Sequence, residues 1–295
     1  MKKILITGKN SYIGTAVEGH LKQFSSMYRV DTLDMLEESW RESTFAGYDC
    51  VFHVAGIAHV PAGKLNKEQL QAYYRVNCDL AIETAKKAKQ EGVKQFIFMS
   101  SAIVYGDSGA MGVEKRIDRD TVPAPKNAYA DSKWRAEKGL EKLKSADFAV
   151  AVLRPPMIYG AGCKGNYPLL SKAARILPCF PKVSNQRSML YVGHLTAFVQ
   201  AVIDEGRSGV FWPQNAQYVN TSEMVRMIAS AHGRKMWLVP GFEGLLKLLS
   251  RRIGLLNKVF GNLTYGQELS DDRTNYRPLS LRETIEMTEG RKRES

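Results

Sequence analysis

The chain has 295 residues, of which 44% are hydrophobic and 24% charged, a composition typical of globular proteins. No apolar run reaches the ~18 residues of a membrane span, and the short run after the first lysines predicts a strand rather than a signal peptide. Four scattered cysteines without metal-ligand spacing favour a reduced, cytoplasmic protein with no metal site. The net charge of +12 indicates an anionic substrate or membrane surface, whereas no pattern predicts nucleic-acid binding.

Strand-like and helix-like segments alternate through the first half of the chain. In chain order, we predict strand KILIT (3–7), helix 13–24, strands YRVDTLD (28–34) and CVFHVAG (50–56), helix 67–91, strand QFIFMSS (95–101), helix 129–146 and strand FAVAVLRPP (148–156). This alternation predicts an α/β fold with a Rossmann-type doubly wound parallel sheet. We assign residues 1–160 to a dinucleotide-binding domain, with a return at about 187–205, and residues 161–295 to a smaller substrate domain.

The turn between the first predicted strand and helix is typical of dinucleotide binding. In ILITGKNSYIG, Gly8 allows a tight turn and Gly14 allows close packing of helix and strand. Ser11 stands where a middle glycine is expected, although its hydroxyl can donate a hydrogen bond to a phosphate. The helix N-terminus directs N–H groups and its positive dipole at the pyrophosphate. We predict cofactor contacts in this turn from Gly8, Asn10, Ser11, Tyr12, Ile13 and Gly14.

An acidic residue at the end of the second predicted strand supports this interpretation. Asp34 lies twenty residues after Gly14, where a carboxylate would hold the hydroxyls of the adenosine ribose. Asp31 is a competing candidate for the same role.

A tyrosine and a lysine in YADSK form a candidate acid/base pair. Tyr129 and Lys133 lie four residues apart at the start of a predicted helix, and therefore on one face. A lysine cation beside a phenol lowers the tyrosine pKa from ~10 toward neutral pH, which makes a usable general acid/base. A surface pair on an amphipathic helix is the alternative.

Two serines end the predicted strand QFIFMSS shortly before this pair. The carboxyl end of such a strand faces the ligand crevice of a doubly wound sheet. The hydroxyl of Ser100 or Ser101 can hydrogen-bond a substrate oxygen there. Serine, tyrosine and lysine would then surround one reacting hydroxyl beside a nicotinamide.

Ordered motifs over about residues 1–200 resemble those of the extended short-chain dehydrogenase/reductase family, especially its NAD-dependent nucleotide-sugar epimerase/dehydratase branch. These motifs are TGKNSYIG, DCVFHVAG, YYRVNCDLAIETAKKA, FMSSAIVYG, YADSK, LRPPMIYGAGCKGNY and RSMLYVGHL. From residue 205 onward the likeness is diffuse. The branch includes the 4-epimerases of UDP-glucose and UDP-N-acetylglucosamine, which the chain is similar to in these motifs.

The resemblance implies a role for each matching residue. Tyr129 would be the catalytic acid/base, and Lys133 would lower its pKa and hold the nicotinamide ribose. Ser101, rather than Ser100, would complete the triad and contact substrate. The implied cofactor contacts beyond the turn are Asp34, Met35, Ala55, Gly56, Asn77, Tyr129, Lys133 and Pro156. Asn166 and Arg187 match positions that hold the substrate diphosphate, for which an arginine fork is well suited.

The segment between Gly14 and CVFHVAG is short for this family, so we expect one strand–helix unit to be missing. Asp34 and Met35 are then alternatives for ribose and adenine contacts. NADP stays an alternative to NAD, with Lys9 as a candidate for its 2′-phosphate. Relatives in this family commonly pair through a helix of the cofactor domain, so the resemblance implies a homodimer.

The segment GFEGLLKLLSRRIGLLNKVFG follows Pro240 and has apolar residues at helical spacing. Lys247, Arg251 and Lys258 lie toward the other side. One interpretation is a helix of the substrate domain with a solvated face. The other is peripheral contact of residues 242–260 with an anionic membrane surface, which would suit a sugar carried on a polyprenyl diphosphate.

The resemblance implies an NAD-dependent nucleotide-sugar 4-epimerase that acts on a UDP-hexose or UDP-N-acetylhexosamine through a transient 4-keto sugar, for surface polysaccharide synthesis. Alternatives are an NAD(P)H-dependent 4-ketosugar-nucleotide reductase and an epimerase of a polyprenyl-diphosphate-linked sugar. A dehydratase is disfavoured, because SSAIVYG lacks the acidic pair that this chemistry uses. A non-catalytic nucleotide-sensing protein of the same fold is the alternative from another class, although such proteins often lose the tyrosine or lysine.

Overall fold

The computed structural model describes residues 1–58, 66–270 and 275–290. Its strands are β1 (Lys2–Thr7), β2 (Tyr28–Leu33), β3 (Cys50–His53), β4 (Gln95–Met99), β5 (Arg116–Ile117), β6 (Ala149–Leu153), β7 (Met157–Tyr159), β8 (Cys179–Pro181), β9 (Met189–Tyr191), β10 (Gly209–Phe211), β11 (Trp237–Val239) and β12 (Thr264–Tyr265). Its helices are α1 (Tyr12–Lys22), α2 (Lys67–Tyr74), α3 (Leu80–Gln90), α4 (Ala128–Glu141), α5 (Tyr167–Ile176), α6 (Val192–Asp204), α7 (Thr221–Ala231), α8 (Glu243–Ser250), α9 (Gly254–Phe260) and α10 (Leu281–Thr288).

The chain divides into two compact units. Their described residues come from Met1–Gly106, Val122–Pro155 and Thr196–Pro213 in the first unit, and from Asp107–Thr121, Pro156–Leu195 and Gln214–Ser295 in the second. The predicted boundary was at residue 160, whereas the second unit begins again at Pro156. The second unit also includes residues 107–121, where β5 pairs with β12. The return to the first unit is at 196–213 rather than about 187–205. The binding roles assigned to the two domains stay predictions.

A parallel sheet forms the centre of the first unit. Within the described residues it has six strands in the order β10-β6-β4-β3-β1-β2. Every residue of β3 and β4 is buried, as expected for strands covered on both faces. The predicted Rossmann-type parallel sheet is therefore confirmed. Between β2 and β3 the chain forms a single 3-10 turn at Glu38–Arg41, which agrees with the missing strand–helix unit expected from the short spacing.

The predicted helical stretch 67–91 is helical but not uniform. A π turn at Arg75–Asp79 separates α2 from α3. Such a turn inserts an extra residue into the helical ladder, and π turns are frequent at functional sites. Here it places Asn77 at a fully buried position, with 0% of its surface exposed.

The second unit contains three small parallel sheets of two strands each within its described residues: β5–β12, β7–β9 and β8–β11. The predicted single helix at 242–260 is instead two short helices, α8 and α9. Between the two helices Ile253 is extended, and Asn257 Nδ2 donates to the carbonyl of Ser250 at 3.0 Å.

The turn between β1 and α1 depends on Gly8. Its φ of 115° is rarely adopted by residues with a side chain, and a Cβ there would lie 2.7 Å from the backbone nitrogen of Ala55. The amides of Val54 and Ala55 both donate to the carbonyl of Thr7, at 3.0 and 2.9 Å, and hold β3 against the turn. Asn10 also has a positive φ, of 63°, which asparagine tolerates.

We therefore expect Gly8→Ala to lower the free energy of unfolding by about 1–3 kcal/mol, because the backbone is strained and the new Cβ meets Ala55. Gly19→Ala is the matched control, since no atom lies within 4 Å of a Cβ at this helical position. It should raise stability by about 0.5–1 kcal/mol. Urea unfolding of both variants measures the difference. Equal stabilities would contradict the packing described for Gly8.

Candidate active site

A cavity of about 710 Å³ lies in the first unit at the carboxyl ends of β1, β2 and β3. The strand order runs from β1 to β2 on one side of this point and from β3 to β4 on the other. Doubly wound sheets bind ligands where the strand order reverses in this way. Six predicted cofactor residues line this cavity: Gly8, Ser11, Asp34, Met35, Ala55 and Gly56. The other predicted residues of this segment lie outside the cavity lining: Asn10 in the turn, and Tyr12, Ile13 and Gly14 at the start of α1.

Ser11 is the N-cap of α1. Its Oγ accepts a hydrogen bond from the amide of Gly14 at 3.1 Å. A Cβ on Gly14 would lie 2.5 Å from this oxygen, so a side chain at position 14 would force the serine hydroxyl to shift. The first turn of α1 carries no acidic residue, which leaves the positive end of the helix dipole uncompensated beside the cavity.

Asp34 and Asp31 differ in their surroundings. Asp34 lines the cavity, and its Oδ1 accepts from the amide of Leu36 at 2.9 Å. Asp31 instead accepts from the hydroxyl of Tyr48 at 3.0 Å. This geometry favours Asp34 as the ribose ligand. Lys9, the candidate for a 2′-phosphate, also lines the cavity.

Lys133 is buried on α4 at the end of β4. Its Nζ donates to the carbonyl of Met99 at 2.8 Å and lies 4.6 Å from the ring centroid of Phe98. A Cβ at Gly56 would lie 3.2 Å from the same Nζ, so the backbone after β3 approaches the lysine closely. Burial lowers the pKa of Lys133 to about 8, and the carboxylate of Glu137 acts in the opposite direction.

Tyr129 precedes Lys133 by one helical turn and is half-buried. Burial raises the pKa of Tyr129, and a hydrogen bond with the Ser101 side chain acts against this shift. The lysine was expected to lower this pKa. In the structure the opposing effect comes instead from Ser101, because the ammonium of Lys133 is directed at Met99.

The two serines at the end of β4 have different partners. Ser100 is buried, and its hydroxyl donates to Oε1 of Glu137. Ser101 is half-buried, and its Oγ accepts from the amide of Ile103 at 3.3 Å. This geometry favours Ser101 over Ser100 as the serine that contacts substrate.

Asn77 was expected to contact the cofactor, but both ends of its amide are used inside the protein. Oδ1 accepts from the amide of Ile57 at 2.8 Å, and Nδ2 donates to the carbonyl of Ile57 at 3.0 Å and to Ser132 Oγ at 3.2 Å. A Cβ at Gly56 would lie 2.8 Å from Oδ1. Asn77 therefore positions the cavity wall, and its contact with the cofactor stays a prediction.

A buried ion pair below the site was not predicted. Arg154 donates to Glu137 through Nη2 at 2.5 Å and through Nε at 3.0 Å, and its Nη1 donates to the hydroxyl of Tyr105 at 2.5 Å. A charged residue at the end of a buried strand requires a partner, and Glu137 lies one turn after Lys133 on α4. The charge of Arg154 after a buried strand and the carboxylate of Glu137 near Lys133 were therefore the sequence signals for this ion pair.

The predicted substrate residues lie in the second unit. Arg187 is buried, and its Nη1 donates to the carbonyls of Lys258, Val259 and Gly261 at 2.5, 3.3 and 3.4 Å. Asn166 Nδ2 is 3.5 Å from the same carbonyl of Lys258. Burial lowers the pKa of Arg187 to about 10.

Arg187 and Asn166 thus meet at the C-terminal end of α9, where the structure fixes them to backbone carbonyls. Pro156 is buried at the start of the second unit. The roles of Asn166, Arg187 and Pro156 toward substrate and cofactor stay predictions.

The sheet order, the cavity at its switch point and the helix N-terminus beside it define an α/β protein of the dinucleotide-binding class. Residues 4–210 match the NAD dependent epimerase/dehydratase family, and the chain belongs to this family.

Several characterised proteins are similar to the chain. The UDP-glucose 4-epimerase of Vibrio cholerae is 28% identical over 97% of this chain and 94% of its own length. An N-acetyl-alpha-D-glucosaminyl-diphospho-ditrans,octacis-undecaprenol 4-epimerase of Escherichia coli O157:H7 is 24% identical over 79% of this chain and 73% of its own. A GDP-6-deoxy-D-mannose reductase of Pseudomonas aeruginosa is 26% identical over 59% and 58%.

A solved structure shares the fold. The UDP-glucuronic acid 4-epimerase of Bacillus cereus in complex with NAD has a TM-score of 0.71 at 16% identity, over 98% of both chains. Epimerases and a reductase are therefore both found among the proteins similar to this chain.

His53, at the end of β3, is a buried titratable group near Lys133. Its Nδ1 is 2.8 Å from Oγ1 of Thr7, and its Nε2 has no hydrogen-bond partner among the residues described. The rings of Phe96 and Phe98 stack on it. Burial lowers the pKa of His53 to about 3, with a smaller effect of the Lys133 charge.

We expect His53 to make stability depend on pH. Between about pH 6 and pH 4 the unfolded chain binds a proton at this histidine and the folded protein does not, so stability falls as pH falls, by at most about 1.4 kcal/mol per pH unit. His53→Asn, which retains a polar group facing Thr7, should reduce that slope. Urea unfolding at several pH values compares the two. Parallel slopes would show that His53 also titrates normally in the folded protein.

Proposed function

We propose that the chain is an NAD-dependent nucleotide-sugar 4-epimerase acting on a UDP-hexose or UDP-N-acetylhexosamine. The observation that carries this proposal is the group formed by Tyr129, Ser101 and Lys133 at the carboxyl end of β4. The backbone of Gly56 links this group to the cavity, since it lines the cavity and approaches Lys133. The UDP-glucose 4-epimerase of Vibrio cholerae supports the choice of reaction.

The residues of the cavity fit a nicotinamide dinucleotide. Its volume of about 710 Å³ lies within the usual range for cofactor and ligand pockets, ~300–1,000 Å³. The N-terminus of α1 would hold the pyrophosphate, with the Ser11 hydroxyl as an additional donor. Asp34 would hold the adenosine ribose, which favours NAD over NADP because a carboxylate repels a 2′-phosphate.

In the proposed reaction, the hydroxyl group of Tyr129 exchanges a proton with the sugar. The deprotonated phenol takes the proton from the C4 hydroxyl and later returns it to the 4-keto oxygen. Bound NAD would supply the redox chemistry, by accepting the C4 hydride and returning it to the other face of the sugar. Ser101 hydrogen-bonds the reacting oxygen and acts to lower the pKa of Tyr129, and the buried cation of Lys133 would hold the nicotinamide ribose. Asn166 and Arg187 would hold the diphosphate.

Two further reactions have support among the relatives. The Pseudomonas aeruginosa reductase favours a single use of the same residues on a 4-ketosugar nucleotide, with NAD(P)H consumed. The Escherichia coli epimerase favours a sugar carried on a polyprenyl diphosphate. A homodimer, a cytoplasmic location and a role in surface polysaccharide synthesis stay predictions from the sequence.

Epimerisation can be tested directly by NMR. Purified protein is incubated with UDP-glucose or UDP-N-acetylglucosamine without added nicotinamide, and the 4-epimer is followed. We expect the epimer to form, because an epimerase regenerates its bound NAD in every turnover. No conversion with NAD supplied would contradict the proposal, and consumption of NAD(P)H with a 4-ketosugar nucleotide would establish the reductase.

Tyr129→Phe should lower turnover by about 10²–10⁴-fold, because the acid/base is lost. Binding of NAD should change little, since the cavity lining is intact. The control is Tyr74→Phe, whose hydroxyl donates to Asp131 at 2.8 Å and has no proposed role in the reaction. Normal turnover of Tyr129→Phe would show that another group is the base. If wild type and Tyr129→Phe both bind the nucleotide sugar but neither converts it, the nucleotide-sensing alternative is favoured.

A further inference from the structure

Helices α8 and α9 and the residues beside them expose an unusual number of apolar side chains. Six of the eighteen exposed large apolar residues in the described part of the chain lie between positions 242 and 255. They are Phe242, Leu245, Leu248, Leu249, Ile253 and Leu255, with between 39% and 60% of each residue exposed. We call these six residues the hairpin surface. Clusters of this kind are uncommon on proteins without a binding partner.

The hairpin surface rests on a firmly attached base. Asn257 Oδ1 accepts from the amide of Met111 at 3.0 Å, and Asn257 Nδ2 donates to the carbonyl of Ser250. Phe260 is buried, with its ring 5.8 Å from that of Phe180. Three carbonyls at the end of α9 accept from Arg187. The apolar side chains are therefore exposed on an ordered element that has its own buried face.

Four cations lie in the same segment as the hairpin surface. Lys247, Arg251, Arg252 and Lys258 are exposed, and Glu243 is the one carboxylate between residues 241 and 262. Four positive charges and one negative charge give a local charge of +3. No described helix is both long enough and apolar enough to cross a bilayer. Short basic helices with exposed leucine and phenylalanine are typical of segments that lie in the plane of a membrane interface.

We propose that the hairpin surface docks on the anionic surface of a lipid bilayer. The leucine and phenylalanine side chains enter the interface, and the four cations contact acidic headgroups. A second copy of the chain is a poorer occupant, because packing two hairpin surfaces together would bring their cations into repulsion. The proposal does not depend on the reaction that the protein catalyses.

Docking would also bring α9, whose C-terminal end lies in the buried base, close to the membrane. The carbonyl of Lys258 at this end accepts from Arg187 and lies 3.5 Å from Asn166, the two predicted diphosphate ligands. A protein docked in this way could take a sugar diphosphate from a lipid carrier. Binding to bilayers that contain no such carrier tests the docking independently of substrate.

Co-sedimentation of the full chain with vesicles tests the proposal. The vesicles contain phosphatidylcholine alone or mixed with phosphatidylglycerol. One variant carries Lys247→Glu, Arg251→Glu and Arg252→Glu, and another carries Leu245→Gln and Leu248→Gln. The matched control carries Lys86→Glu, Lys142→Glu and Lys172→Glu, which changes net charge equally at exposed positions outside the hairpin surface. Thermal unfolding verifies that every variant is folded.

We expect wild type and control to bind the anionic vesicles, with affinities within about twofold of each other, and to bind phosphatidylcholine weakly. Both hairpin variants should bind anionic vesicles roughly tenfold or more weakly. The proposal is wrong if wild type does not bind anionic vesicles, or if both hairpin variants bind as well as wild type. It is also wrong if the variants abolish only self-association of the protein, because the surface would then be an interface between copies.

Discussion

The side-chain amide of Asn77 is the interaction on which the site depends. It bonds the amide and the carbonyl of Ile57 after β3, and Ser132 on α4, from a position with no exposed surface. The π turn between α2 and α3 places it there. One buried side chain thus fixes a cavity wall to the helix that carries Tyr129 and Lys133. Breaking these bonds would leave buried polar groups without partners, which costs ~1–3 kcal/mol for each group.

The acid/base group is held by a second buried network. Ser100 and Arg154 both bond Glu137, which is one turn after Lys133 on α4. A buried ion pair adds little net stability, because desolvation offsets most of its attraction. Its main effect here is geometric, since it holds α4 against the end of β6. The carboxylate of Glu137 also helps to keep the buried lysine protonated.

Local patterns in the sequence were sufficient for the parallel sheet, the glycine turn and the placement of Tyr129 and Lys133 on one helix. They were insufficient where the decisive partner is distant in the chain. Asn77 bonds residues 20 and 55 positions away, so its positioning role could not be seen in its own helix. The break between α8 and α9 was missed because the apolar periodicity continues through it, and periodicity does not show whether a face is covered.

The central claim is that Asn77 orders the cavity proposed to bind NAD, and calorimetric titration of NAD into protein stripped of bound nucleotide tests it most directly. Ser132→Ala removes one bond of the Asn77 amide, and Asn77→Ala removes them all. The account predicts NAD binding by wild type, a modest loss for Ser132→Ala and a loss of roughly tenfold or more for Asn77→Ala. A folded Asn77→Ala protein that binds NAD as tightly as wild type would contradict the account.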